Sequence, residues 1–205
     1  MGASRRGLWI GLTNRRAAVN DPGLRSRGLL CRDLLQAASA AEAVSRLESL
    51  GERYNPFHVV VADAERIVLF EYESGRADVR VLRSGCHIVT NQPYDEHSEE
   101  PKARRAWRLL YDAELWPAER GRPSPIDLVA RLAAILGDHG VEGKDALCLH
   151  GDRYGTRSAA IWRIAWPDGG AGEPDIRLSF ADGPPCTTLF AAVEGWRVDG
   201  PDASG

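Results

Sequence analysis

The spacing of apolar and polar positions changes several times along this chain, and each change marks an element. Residues 7–13 (GLWIGLT) form a short apolar run closed by Asn14, which predicts a buried strand. An arginine-rich loop with the turn formers Asn20, Asp21, Pro22 and Gly23 follows. Residues 28–38 predict a helix with Leu30, Leu34 and Leu35 on one face. Residues 40–50 predict a second, N-capped by Ser39 and apolar at Ala43, Leu47 and Leu50. Three strands are expected next. Residues 57–62 and 66–72 are nearly continuous apolar runs, while 77–82 alternates, with Val79 and Val81 opposite Asp78 and Arg80. The run 86–90 predicts a fourth strand. Helices are expected over 98–115 and 126–137. Paired strands are expected over 158–166 and 175–180, around a glycine-rich turn at 168–172. Residues 184–193 predict an edge strand.

Strands therefore come in consecutive groups rather than alternating with helices. That order predicts an α+β fold of antiparallel sheets with helices packed outside, not a doubly wound parallel sheet. With 205 residues the chain suits one domain, 1–205, with a structured core over 7–198 and tails at 1–6 and 199–205.

The net charge of -3 is spread through the sequence without a basic stripe, so no nucleic-acid partner is expected. No apolar run approaches the roughly 18 residues of a membrane span, and the N-terminus does not read as a secretion signal. A cytoplasmic location follows as the default. The four cysteines, Cys31, Cys86, Cys148 and Cys186, form no C-x-x-C pair. That spacing predicts free thiols rather than a structural zinc site. Cys31 falls in a leucine-rich helix and reads as core. Cys86 and His87 fall on opposite faces of their strand. Cys148 and His150 share a face, which leaves a metal pair open.

Three polar clusters each follow an apolar strand: 12–16 (LTNRR), 85–91 (GCHIVTN) and 154–158 (YGTRS). An amide at a strand end is ordinarily a turn cap, and an arginine there is ordinarily a surface charge. Taken together, an amide can donate to a developing oxyanion and a guanidinium can hold a carboxylate.

In order, five segments resemble the NRDE family of transport-and-Golgi-organisation type proteins. They are 11–14 (GLTN) with 26–30 (SRGLL), 54–63 (YNPFHVVVAD), 85–91, the helix carrying Lys102 and Arg105, and 154–158. The resemblance covers residues 7–189. It implies a fold like that of the N-terminal-nucleophile hydrolases of cholylglycine-hydrolase type, an αββα sandwich. It also implies that Asn14, Asn91 and Arg157 are oxyanion or orienting groups. Such proteins begin Met-Cys and carry an N-R-D-E stretch, whereas this chain begins Met-Gly-Ala-Ser and has no N-R-D-E. The chain is therefore expected to lack the fold's first strands, through a truncated gene, a mis-called start or a degenerate paralogue, and to be catalytically incomplete as given.

Two functions follow as expectations. One is binding or trafficking of haem or another small amphipathic acid. His87 would contact the iron or the acid. Asn14, Arg15, Asn91, Tyr154 and Arg157 would line the site, and the basic residues Arg15, Arg16, Arg25 and Arg27 would meet propionates. His58 reads as structural. The other function is an amide or thioester hydrolase whose nucleophile lies upstream of this start.

Overall fold

The computed structural model describes residues 1–15, 20–51, 53–73, 75–115, 124–141, 145–152, 154–167 and 172–194. Five strands pair antiparallel in chain order: β1 (Gly2–Ala3), β2 (Trp9–Asn14), β3 (Phe57–Ala62), β4 (Ile67–Glu73) and β5 (Arg76–Leu82). The helices α1 (Arg27–Leu34) and α2 (Ala40–Glu48) lie between β2 and β3 in sequence and pack on this sheet. Then come α3 (Pro101–Asp112) and α4 (Pro125–Leu136), followed by a second antiparallel sheet of β6 (Ala159–Ala165), β7 (Asp175–Ala181) and β8 (Ala191–Ala192). α4 packs on β6 and touches α3. The expected α+β class with antiparallel sheets is what the chain adopts. Among the described residues, no helix is long and apolar enough to cross a membrane.

Alternation along the central strands sorts the side chains into two faces. Phe57, Val59 and Val61 of β3 pair with Tyr72, Phe70 and Val68 of β4. All six are buried on the side where Leu30, Leu34, Ala40, Ala43 and Leu47 of the helices meet the sheet. Phe57 stacks on Tyr72 with ring centroids 5.1 Å apart and on Phe70 at 6.1 Å. The small side chains of Ala40 and Ala43, both fully buried, let α2 lie close on that aromatic layer.

Local polar groups fix where α2 begins. Ser39 Oγ accepts from Glu42 N, and Glu42 Oε2 accepts from Ala38 N, a reciprocal capping box. Asp63, in the turn between β3 and β4, adds a further cap by accepting from Ala40 N at 2.7 Å. One aspartate therefore ties the helix start to the sheet.

Three expectations need correcting. Residues 86–90 are not a strand. The first sheet ends at β5, and the chain from 83 to 95 turns back over the sheet's second face, where Val89 and Tyr94 pack with Leu69, Leu82, Val60 and Ile67. Residues 1–6 are not wholly a tail, because Gly2 and Ala3 pair with Ile10 and Trp9. The edge strand expected over 184–193 contracts to Ala191–Ala192, since Pro184 and Pro185 withhold donors and Thr187 and Thr188 fold back onto the Pro184 carbonyl. Most of the 168–172 turn lies outside the described residues, as does the tail 199–205.

The sheets meet at Gly7. Its φ of 84° is one that glycine adopts without strain, and a Cβ there would sit 2.9 Å from both Pro174 Cγ and Trp166 Nε1. The β6–β7 hairpin therefore closes on the β1–β2 turn through a contact with no room for a side chain.

Candidate functional site

The second face of β3 and β4 carries two ionisable groups where apolar residues are the norm. His58 is fully buried and Glu71 is 6% exposed. The two residues are register partners, so their side chains leave the sheet side by side. His58 Nδ1–H donates to the Thr90 carbonyl at 3.1 Å. Its Nε2 stands 3.0 Å from Glu71 Oε1, off the direction a hydrogen bond needs. Burial pulls the His58 pKa below its ordinary value, with the charge of Glu71 opposing. The Glu71 carboxylate is held from the other side: Tyr94 N donates to Oε1 at 3.1 Å, and Arg80 Nη2 lies 3.4 Å from Oε2. Arg80 also bonds Asp78 and the Tyr94 carbonyl.

Tyr94 extends this network to His87. Its hydroxyl donates to His87 Nδ1 at 2.7 Å, and His87 Nε2–H donates to the Arg83 carbonyl at 2.8 Å. Both imidazole nitrogens are engaged. Ligation would cost the ring its bond to Tyr94. His87 lines a cleft of about 660 Å³ between the 83–99 segment and α3, with Ile88 and Trp107 as apolar wall and Arg83 and Arg104 as cations.

The other expected site residues divide between two places. Asn14 ends β2 opposite Phe57, and the preceding Thr13 is the register partner of His58. Because His58 bonds the Thr90 carbonyl, the chain at Asn14 and at Asn91 converges on one histidine. Arg15 joins them: it pairs with Glu73 at 3.1 Å and, with Glu71 and Arg80, lines a cleft of about 750 Å³. Tyr154 and Arg157 belong to the loop ahead of β6. Thr156 between them exchanges two bonds with Leu149, which fixes this loop to the 145–150 segment ahead of β6. Both are exposed, and among the described residues neither bonds to Asn14, His87 or Asn91.

Residues 1–165 match the family described as Transport and Golgi organisation 2. The chain belongs to that family. The match runs from the first strand through β6, so it contains Asn14, His87, Asn91 and Arg157. No curated protein matches the chain. In this Transport and Golgi organisation 2 domain, the two motif segments at 54–63 and 85–91 meet physically through His58 and Thr90.

The basic loop expected to meet propionates is engaged internally. Arg25 pairs with Asp33 and bonds the Tyr54 hydroxyl, and Arg27 donates to the Pro56 carbonyl at 2.8 Å. Arg16 lies outside the described residues. Glu71 escaped the sequence reading, although a glutamate inside the apolar run VLFEY, two positions from Leu69, was its signal. His139, Cys148, His150 and Cys186 also escaped it as a group, and they gather near the second sheet.

Proposed function

We propose that this Transport and Golgi organisation 2 protein binds and carries a small amphipathic acid, with haem the first candidate, in the cleft between the 83–99 segment and α3. One observation carries the reading. A single concavity, of the size ligand sites have (about 300–1,000 Å³), places His87 beside an indole, an isoleucine and two arginines. Trp107 and Ile88 supply the apolar wall, and Arg83 and Arg104, the latter exchanging its partner Glu99 at 3.2 Å, would meet the ligand's carboxylates. The His97 ring lines the same cleft and makes no hydrogen bond among the described residues, so it offers iron a free imidazole. The two sheets are read as the layers of the αββα sandwich that the resemblance implies.

Hydrolysis is the weaker reading. Cys86 borders the cleft, but burial pushes its thiol up, away from the thiolate a nucleophile needs. Its Sγ has no hydrogen-bond partner among the described residues.

The test is a haem titration followed at the Soret band, with Trp107→Ala, His87→Ala and His97→Ala beside the wild type. Saturable binding weakened about tenfold or more by Trp107→Ala is expected, from loss of a large buried aromatic face. Wild-type binding no stronger than that of an unrelated protein would end the proposal.

A further inference from the structure

We infer that His139, Cys148, His150 and Cys186 form a tetrahedral Cys2His2 site for a zinc ion. One ligand atom from each lies within 4.8 Å of all the others. Cys148 Sγ is 3.6 Å from Cys186 Sγ and 3.6 Å from His150 Nε2, and His150 Nε2 is 3.1 Å from Cys186 Sγ. Zinc bound at ordinary lengths separates two thiolates by about 3.8 Å, and a thiolate from an imidazole by about 3.5 Å. These three spacings need only small adjustments to reach those values, and the His139 ring, whose ligand atom lies within 4.8 Å of the others, closes the fourth position. The sulfurs are too far apart for a disulfide, whose bond is about 2.05 Å, and all four cysteines are free.

The surroundings hold the ligands in place. His139 follows the end of α4, Cys148 and His150 lie on the approach to β6, and Cys186 lies between β7 and β8. The Asp138 carbonyl accepts from Leu147 N and Cys148 N, while its carboxylate is clamped by Arg105 through two bonds of 2.9 and 2.7 Å. Gly137 lies so close to Cys186 that a Cβ would be 3.2 Å from its Cα. Leu149 is pinned by Thr156. Three separate segments are thus fixed around one point before any ion arrives.

A Cys186–His150 pair alone would suit a nucleophile and its base, but it leaves Cys148 and His139 without a role. Four ligands of this chemistry select zinc among common ions. They also close the coordination sphere, which makes the site structural. Binding displaces the two thiol protons. The inference is independent of the ligand reading above.

The full chain, purified under reductant and dialysed against Zn(II), is expected to retain one ion per chain by elemental analysis. With Co(II) in its place, it is expected to show thiolate-to-cobalt charge transfer and the intense visible bands of a tetrahedral centre. Cys186→Ser and the exposed His139→Ala should weaken Zn(II) by more than the roughly 10–100-fold that loss of an outer-shell partner costs. His139→Ala guards against a variant that fails to fold, because circular dichroism can confirm its fold at a surface position. Substoichiometric metal in the wild type, a Co(II) spectrum without charge transfer, or variants that bind as the wild type does would overturn the site. So would a Cys148–Cys186 disulfide in chain prepared with reductant and Zn(II).

Discussion

His58 and Glu71 face each other across paired strands, 3.0 Å apart, with almost no access to water. Glu71 is the acceptor of the buried Tyr94 N–H, and a buried donor that loses its acceptor costs about 1–3 kcal/mol. Glu71→Ala is therefore expected to destabilise the chain by about that amount in urea unfolding. The double change His58→Leu with Glu71→Leu should cost clearly less than the two single changes summed. Additive costs would show that the pair is not coupled.

The same histidine gives the fold a sensitivity to acid. Its pKa is depressed in the folded state, so the unfolded chain takes up a proton first as pH falls below the ordinary value of 6.5. Stability from His58 is full above that value and is lost as pH falls through the depressed folded value. His58→Gln should flatten this part of the curve relative to the wild type when unfolding is measured from pH 7.5 to 5. An unchanged slope would remove His58 as its source.

Asp63 caps α2 from outside the helix, and it also accepts from Glu65 N and Arg66 N in its own turn. Ser39 supplies one cap bond. Ser39→Ala should cost about 1 kcal/mol. Asp63→Ala should cost about 2 kcal/mol or more, since several backbone donors lose an acceptor together. Thermal unfolding of the two variants side by side checks the order.

Gly7 tests how the two sheets hold together. Gly7→Ala combines a left-handed backbone with a collision at Pro174 and Trp166, and should cost about 1–3 kcal/mol. The Trp166 fluorescence should shift with it. Gly75→Ala, which has a similar φ but open space around it, isolates the backbone share.

The sequence made the helices and most strands legible because their apolar spacing is local. α4 shows Leu128, Leu132 and Ile135 at helical intervals, and Ser39-x-x-Glu42 marks the start of α2. Residues 86–90 misled for a physical reason. CHIVT has the composition of a strand, but it does not pair with β5, and Val89 packs on the sheet's second face instead. The motif segments 11–14 and 85–91 both reach His58, which pairs in register with Thr13 and bonds the Thr90 carbonyl. The loop that carries Arg157 is fixed to Leu149 by bonds that its sequence did not announce. The Cys2His2 cluster was invisible to spacing rules, since His150 and Cys186 are 36 residues apart and no short motif links them.

Both margins of the five-stranded sheet are poor templates for another chain. On one side the margin is stepped, with Gly2 and Ala3 of β1 and then residues 11–14 of β2, and each step is short for a stranger to zip onto. On the other, β5 is exposed along most of its length and carries Arg76, Asp78 and Arg80, whose charges would have to be desolvated before any new strand could add. Val81, largely exposed on the same strand, is the kind of residue that would otherwise invite such growth. The layout therefore guards against amyloid-like stacking at the places where an open sheet is most vulnerable to it.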